Sequence, residues 1–374
     1  MSQKLKSSLI ISVLLLSIIL LCVMFGFTSS YYLGRFGSPL AFATRIAENP
    51  TLEPVLAEYT IAKTEAFVQL WTKSNVFVVQ NRNDRGIVTV DDKLFFVGTL
   101  TQKRDDFLFR MDLSTGKVDW QIPERGAIPI VFAQYDNLLF ISSGVPGQII
   151  AYDMMSGGVV WERSFSFSER GATYMSATES SLYVNTGSAS FYTLDTKDGR
   201  IKDQERPQEV ILPIFSIHNN IIYHRTSNDT LVATNERSGN IIWEREFDNN
   251  IVKAPLFTND KVVIRTGERT LGQLFVLDIA TGQIVWQSAY DVTSNVTIDN
   301  DIVYYLTKDS RLNALDLQTG DKLGGVEFTP SLLELEPLDW ANGSFFVAAN
   351  NNMVIVYFGS GRQLFAFSFL GSGE

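Results

Sequence analysis

The sequence predicts an all-β fold, a seven-bladed β-propeller of four-stranded antiparallel blades. Two markers recur about every forty residues, a spacing typical of a propeller blade. The first marker is a turn of Asp or Asn, two free positions, Ser, Thr or Asp, and then Gly, with copies that begin at Asp112, Asp153, Asp195, Asn235, Asp278 and Asp316. The second marker is a polar pair before three apolar residues, with apolar runs that begin at Leu94, Leu138, Leu182, Ile221, Val262, Ile302 and Phe345. Because both markers keep the same period, they indicate one structural unit repeated along the chain.

Each repeat has the pattern of four short strands. Between the markers lie runs rich in Val, Ile, Phe and Tyr, bounded by Asn, Asp, Gly and Ser, which is typical of strands and hairpin turns. In the second unit these runs are 127–133, 138–142, 149–153 and 159–163. A single unit of this size cannot bury both of its faces, so we expect the units to stack radially into a closed ring.

The last unit is one strand short. After the marker at Phe345, two more runs follow at 353–358 and 364–369, and the sequence ends soon afterwards. Upstream of the first full unit, the segment 68–71 resembles the Val-x-Trp strand of the other units. We therefore expect this N-terminal strand to complete the last blade and close a ring of seven; a ring of eight blades is the alternative.

The repeated Asp and Trp residues are predicted to be structural. Asp at the start of a turn accepts bonds from backbone NH groups, and Gly supplies the positive φ that closes it; Asn235 stands in one copy, where a catalytic carboxylate could not be replaced by an amide. The tryptophans are expected to pack between blades, and they are Trp71, Trp120, Trp161, Trp243 and Trp286. The third unit has Asp203 in this place and the sixth has Gly324 and Gly325, so these two interfaces are expected to pack less heavily.

Composition excludes one class of partner and limits covalent cross-linking. The formal net charge is −10, which argues against a nucleic-acid surface, since such a surface needs clustered Lys and Arg. Apolar residues make up 45% of the chain and aromatic residues 12%, enough for a core. Cys22 is the only cysteine, so no disulfide can form within the chain.

The N-terminal region predicts a membrane anchor. Residues 1–8 form a short basic cytoplasmic tail, and residues 9–27 carry no charge, a run long enough to cross a bilayer as a transmembrane helix. Positive charge ahead of the span favours a single-pass signal anchor in the cell membrane with the propeller on the extracytoplasmic side. A cleaved signal peptide is an alternative. A lipoprotein attached through Cys22 is another, although Leu21 occupies the position where a small residue is expected.

The rest of the chain divides into a tether and the propeller. Residues 28–66 contain several Gly and Pro residues and are predicted to be a tether, with a possible short helix at 54–66. The propeller is predicted to span residues 67–370.

Two copies of the turn marker carry a resemblance to a known superfamily. The segments 276–286, Val-Leu-Asp-Ile-Ala-Thr-Gly-Gln-Ile-Val-Trp, and 314–320, Ala-Leu-Asp-Leu-Gln-Thr-Gly, resemble the repeats of the pyrroloquinoline-quinone-like (PQQ-like) β-propellers. The resemblance covers residues 68–370. It implies a fold more strongly than an activity, because the superfamily includes quinone-dependent alcohol dehydrogenases, a propeller lipoprotein of the outer-membrane protein assembly machinery, and membrane-tethered domains without an assigned role.

Three functions are compatible with this resemblance. The first is a membrane-tethered scaffold that binds a protein partner in an envelope complex and has no catalysis of its own. The second is a quinoprotein dehydrogenase that binds PQQ and calcium, for which the resemblance implies eight blades, a Glu, Asn and Asp calcium site and often a pair of cysteines; the chain has no such pair. The third is an envelope protein-assembly factor, for which eight blades and a lipid-attachment cysteine are expected. The sequence favours the scaffold.

No catalytic, cofactor-binding or metal-binding residue is predicted. The acidic pairs 91–92 and 105–106 are expected to be solvated turn and loop residues, and His218 and His224 lack the further ligands of a zinc site. The expected partners are the membrane and an unidentified protein, with no nucleic acid. The loops 98–107 and 144–147 are candidate contact points.

Overall fold

The computed structural model describes residues 58–371 except 80–85, 101–105, 124–130, 145–146, 166–171, 187–189, 206–214, 227–228, 269–270, 290, 331–344 and 360. The chain divides by its internal contacts into two units, Met1–Val55 and Leu56–Glu374, and every described residue belongs to the second. The predicted basic tail, membrane span and first part of the tether lie outside the described residues. Within these described ranges, no helix is long and apolar enough to span a membrane.

The described residues form seven antiparallel sheets, which are the blades of a propeller, so the prediction of seven blades is confirmed. The first two strands of the chain join the last two blades, and they are β1 (Tyr59–Glu65) and β2 (Phe67–Lys73). Blade 1 contains β3 (Phe77–Val78), β4 (Ile87–Val90), β5 (Lys93–Thr99), β6 (Phe107–Asp112) and β7 (Val118–Pro123). Blade 2 contains β8 (Val131–Tyr135), β9 (Leu138–Gly144), β10 (Gly147–Asp153) and β11 (Val159–Ser164).

The next blades follow the same order. Blade 3 contains β12 (Ala172–Ala177), β13 (Ser181–Thr186), β14 (Phe191–Asp195) and β15 (Ile201–Glu205). Blade 4 contains β16 (Phe215–His218), β17 (Ile221–Arg225), β18 (Thr230–Asn235) and β19 (Ile241–Glu246). Blade 5 contains β20 (Leu256–Phe257), β21 (Lys261–Gly267), β22 (Gly272–Asp278) and β23 (Ile284–Gln287).

The last two blades include the N-terminal strands. Blade 6 contains β24 (Thr297–Asp299), β25 (Ile302–Leu306), β26 (Arg311–Asp316), β27 (Lys322–Pro330) and then β1. Blade 7 contains β28 (Phe345–Asn350), β29 (Met353–Phe358), β30 (Gln363–Phe369) and then β2. In blades 2 to 7 the first of the listed strands is the innermost, whereas in blade 1 both β3 and β4 pair with the inner edge of β5; the last strand of every blade is the outermost.

The middle strands are apolar on both faces because each is covered by two neighbouring blades. Side chains alternate along a strand, so Val262 and Ile264 of β21 pack toward blade 4 while Val263 packs toward blade 6. All three are buried. This double burial explains why the sequence shows continuous apolar runs at these positions.

The ring is closed by β2, as predicted. This strand pairs with β30, and Trp71 lies opposite Ala366, the same register that places Trp161 opposite Ala151 in blade 2. Strands from the beginning and the end of the propeller sequence thus lie in one sheet.

The short helix predicted at 54–66 is wrong over its described part, because Tyr59–Glu65 forms the strand β1. This strand adds a fifth member to blade 6 by pairing with the free edge of β27. Tyr59 is buried with its ring stacked on Phe358 at a centroid distance of 4.0 Å. The edge of a sheet offers backbone partners that no local helix signal can anticipate, and the propeller strands consequently begin at Tyr59 rather than at residue 67.

One marker was assigned to the wrong strand. Phe345 begins β28, the inner strand of blade 7, whereas the markers of the other units begin the second strand of a blade. The equivalent turn in blade 7 is Asn351 and Asn352, both with positive φ, as are Asn219 and Asn220 in blade 4. The blade count is unaffected, since three strands of blade 7 still lie at the C-terminal end.

Apolar clusters among the described residues join six of the seven pairs of successive blades. The exception is the interface between blades 3 and 4, which we call the seam. There the lighter packing predicted from Asp203 is found. The similar prediction for Gly324 is wrong, because Glu65 and Ala66 of the N-terminal segment pass directly over this glycine.

Candidate functional site

The repeated turns use their carboxylates internally. In blade 2, Oδ1 of Asp153 accepts bonds from the backbone amide and the hydroxyl of Ser156, both at 2.7 Å, and the amide of Gly157 donates to the carbonyl of Asp153. These bonds to Ser156 hold the pKa of Asp153 below its ordinary value. In blade 5 the Thr281 hydroxyl does the same to Asp278. The carboxylates of Asp153 and Asp278 are therefore held within their turns, as predicted.

The outer-strand tryptophans contact the turn of the following blade. Each indole Nε1 donates to a backbone carbonyl just after the turn Asp: Trp71 to Leu113 (2.7 Å), Trp120 to Met155 (3.2 Å), Trp161 to Thr196 (2.8 Å), Trp243 to Ile279 (2.9 Å) and Trp286 to Leu317 (2.7 Å). Each ring also lies on the turn glycine, with the Cβ position of that glycine only 2.6–3.2 Å from the ring at its nearest approach. We call this arrangement of carbonyl and glycine a tryptophan socket. The predicted role of the tryptophans in packing between blades is confirmed.

The socket of blade 4 receives no tryptophan. Asp203 occupies the equivalent position, since it lies opposite Thr193 as Trp161 lies opposite Ala151. Apart from its two chain neighbours, no atom of the described residues lies within 4 Å of the Cβ position of Gly239, and this glycine is exposed. Among the residues that the structure describes, this is the one socket of its kind that is open to solvent.

The seam is held mainly by polar contacts. The Tyr174 hydroxyl lies 2.8 Å from Oγ of Ser216, and the Tyr183 hydroxyl donates to the Glu236 carboxylate at 2.9 Å. Burial, and then the Glu236 charge, raise the pKa of Tyr183 to about 12, so its hydroxyl remains a donor at neutral pH. His224 also lies in the seam by strand alternation, and burial lowers its pKa, which favours the neutral imidazole.

The ring encloses a cavity of about 680 Å³ lined by inner strands of blades 1, 5, 6 and 7. Its walls are largely Val, Ile, Leu and Ala, with Lys253 and Arg265 on blade 5 and Asp91 and Asp136 on the hairpins of blades 1 and 2. The side chain of Asn295 exchanges two 2.8 Å bonds with the backbone of Val347 and so joins blades 6 and 7 beside the cavity. The lining therefore carries both positive and negative side chains.

The described residues contain no group of three or more His, Cys, Asp and Glu side chains that could hold a metal ion. His218 stacks on Phe257 at 4.9 Å and lies at the opposite end of its strand pair from His224, so the two imidazoles do not converge. Burial raises the pKa of Asp291, the nearby Lys308 charge opposes that shift, and the Asp309 charge adds to it.

The two candidate contact loops lie on the same end of the ring. Loop 98–107 joins β5 to β6 and loop 144–147 joins β9 to β10, so both are second hairpins of adjacent blades. Their central residues, 101–105 and 145–146, lie outside the described residues. The tryptophan sockets lie on the other end, with the turns that join the last two strands of each blade.

Together, the seven antiparallel blades, the repeated turns and the tryptophan sockets define a PQQ-like β-propeller. The family described as outer membrane protein assembly factor BamB matches residues 110–213 and 204–369. The matched ranges cover more than half of the chain, and the chain belongs to this family.

Individual relatives are distant. The outer membrane protein assembly factor BamB of Yersinia pestis is 27% identical over 231 residues, which are 57% of this chain and 50% of the relative. The factor of the same name from Moranella endobia is 26% identical over 238 residues, 56% of this chain and 59% of the relative. The chain thus spans about half the length of the curated relatives it matches. A crystal structure of BamB from Moraxella catarrhalis superposes with a TM-score of 0.50 at 14% identity, covering 81% of this chain and 100% of the other, which supports the fold.

Proposed function

We propose that this chain is a protein-binding scaffold of the cell envelope that takes part in outer-membrane protein assembly and has no catalysis of its own. The family match over residues 110–213 and 204–369 carries this proposal, because relatives in the family are described as assembly factors. The contacts of the repeated residues support it. The repeated carboxylates accept hydrogen bonds within their own turns, and the repeated tryptophans pack one blade against the next.

The proposal includes a membrane tether. An uncharged span at residues 9–27 follows Lys4 and Lys6 and would hold the propeller outside the cytoplasm. Intact-mass spectrometry of the protein purified from membranes tests this point. The mass of the full sequence supports the retained span, whereas a mass lacking the span, or an acylated chain beginning at Cys22, contradicts it.

Partner capture tests the scaffold. The tagged full chain is cross-linked in intact cells, solubilised in detergent and purified, and the co-purifying proteins are identified by mass spectrometry. We expect an integral outer-membrane assembly protein among them, and depletion of the chain should lower the amount of folded outer-membrane β-barrels.

The enzymatic alternative is tested on the same preparation. Dye-linked alcohol oxidation is measured after PQQ and Ca²⁺ are added. We expect no turnover above the rate without protein, and quinone-dependent turnover would contradict the scaffold function.

A further inference from the structure

The open socket of blade 4 has the same backbone as the filled sockets. The amide of Ser238 donates to Oδ1 of Asn235 at 2.9 Å, and the amide of Gly239 donates to the Asn235 carbonyl at 2.9 Å. The φ of Gly239 is +71°, against +69° for Gly199 and +66° for Gly282 in filled sockets. The turn is therefore formed in advance, so an occupant would bind it without ordering the loop.

Two of the five filled sockets hold two side chains rather than one. On the turn of blade 3, Trp161 donates to the Thr196 carbonyl while Nη1 of Arg163 donates to the Gly199 carbonyl at 3.0 Å. On the turn of blade 5, Trp243 donates to Ile279, and Nε of Arg245 donates to the Gly282 carbonyl at 2.9 Å. The recognised element in both cases is an extended Trp-x-Arg segment, with Trp over the glycine and Arg at its carbonyl.

The equivalent acceptors of blade 4 are the carbonyls of Glu236 and Gly239. No donor among the described residues is bonded to either of them. Blade 3 cannot supply the missing pair, because Asp203 stands in the Trp position and Glu205 in the Arg position by strand register. The Glu236 carboxylate, held by Tyr183, adds a negative charge beside the socket, which suits an incoming arginine.

We propose that the socket of blade 4 binds an extended Trp-x-Arg segment of another polypeptide. The indole lies over Gly239 and donates to the Glu236 carbonyl, and the guanidinium donates to the Gly239 carbonyl beside the Glu236 carboxylate. The segment runs along the outer edge of blade 3 and completes the seam, where the described residues form no apolar cluster. The five described tryptophans each occupy another socket, and Trp340, the sixth, has Asn342 rather than Arg two positions on, so we assign the occupant to a partner. This inference deepens the scaffold function proposed above and rests on it for its biological role.

The test uses a peptide copied from this chain. A dye-labelled peptide Val-Val-Trp-Glu-Arg-Ser, the sequence of β11, is titrated with the full chain in detergent, and binding is followed by fluorescence anisotropy. We expect saturable binding, weakened at least about tenfold when Trp in the peptide is replaced by Ala, because burial of an indole contributes more than one tenfold step. Equal binding of the two peptides, or no binding, overturns the proposal.

Variants of the protein localise the site. Asp203→Trp would fill the socket from blade 3 and should abolish binding, whereas Asp203→Asn, which leaves the socket open, should change the affinity by no more than about twofold. Gly239→Asn places a Cβ where the indole would lie and should also abolish binding; Asn is chosen because it tolerates positive φ, and circular dichroism checks that the variant folds. Undiminished binding by Asp203→Trp overturns the proposal.

Two further outcomes separate alternative explanations. Tighter peptide binding by Trp340→Phe would identify the sixth tryptophan of this chain as the occupant and overturn the assignment to a partner. A chain that captures envelope partners but binds neither peptide leaves the scaffold function standing and removes the socket as its contact.

Discussion

Gly239 and Gly282 form a matched pair that measures the contribution of the indole contact. Both glycines close the same turn with φ near +70°, so replacing either with Ala incurs the same backbone cost, about 1–2 kcal/mol. At Gly282 the new Cβ would also lie 2.6 Å from the ring of Trp243, whereas at Gly239 it would meet nothing within 4 Å. The ring is held in place by the 2.9 Å bond from its Nε1 to the Ile279 carbonyl, so the overlap adds an overpacking cost of about 1–3 kcal/mol.

We therefore expect Gly282→Ala to lower the free energy of unfolding by about 2–5 kcal/mol and Gly239→Ala by about 1–2 kcal/mol. The assay is urea unfolding of the full chain in detergent, followed by far-ultraviolet circular dichroism. The comparison relies on midpoints at equal slope, because a changed slope would report a different extent of unfolding.

A double-mutant cycle isolates the ring contact. In a Trp243→Ala background the ring is gone, so Gly282→Ala should cost no more than Gly239→Ala does in the original chain. Equal destabilisation by the two glycine substitutions in the original chain, or an undiminished penalty in the Trp243→Ala background, would refute the reasoning that the indole fixes the turn.

Three further predictions concern other contacts. Trp161→Phe removes the 2.8 Å bond to the buried Thr196 carbonyl and should destabilise the chain by about 1–3 kcal/mol, whereas Trp120→Phe, whose 3.2 Å bond is exposed, should cost less; urea midpoints measure both. The Ser114 hydroxyl and then the Lys93 ammonium hold the pKa of Asp112 well below its ordinary value of 3.8, so this carboxylate stabilises the fold above that value and the contribution is lost as the pH falls through the lowered pKa. Asp112→Asn should therefore flatten the acid limb of the stability profile, and an unchanged slope below about pH 4 would contradict the assignment. Tyr59→Ala removes a buried ring stacked on Phe358 and should cost about 3–5 kcal/mol and release β1 to limited proteolysis, while the control Thr60→Ala, on the exposed face, should leave the cleavage rate unchanged.

Predictions from the sequence succeeded where a residue type has the same structural role in each blade that carries it. Trp71 occupies the same outer-strand position as the tryptophans of the other blades, so the strand that closes the ring could be identified from its sequence alone. Asp203 likewise indicated the lighter interface, since no apolar cluster of the described residues joins blades 3 and 4.

The errors share a different cause, which is pairing between residues far apart in sequence. Gly324 has the same local signal as Asp203, yet the N-terminal segment covers it. The segment that does so has a Pro at position 54 and charged residues spaced as in a short helix, but the free edge of β27 determines its conformation instead. Local propensity gives way to tertiary pairing in such cases, and a single sequence does not identify the pairing partner. The sequence predicts weak packing at the socket of blade 4 but not a binding site, because the proposed binding role depends on the arginines that accompany tryptophan in two of the filled sockets.

The pairing of β1 and β2 with the last blades has a consequence for how the protein is made. Blades 2 to 5 each consist of four consecutive strands, so each can assemble soon after the ribosome has produced it. The strand that carries Trp71, although made early, waits for Gln363–Phe369, which is made only after the strands of blades 2 to 5. Contacts of such long sequence separation form late, and a chain released before that segment is complete would keep an unpaired edge. Closure of the ring therefore distinguishes a finished chain from a truncated one, and protease sensitivity of the N-terminal strands would reveal the difference.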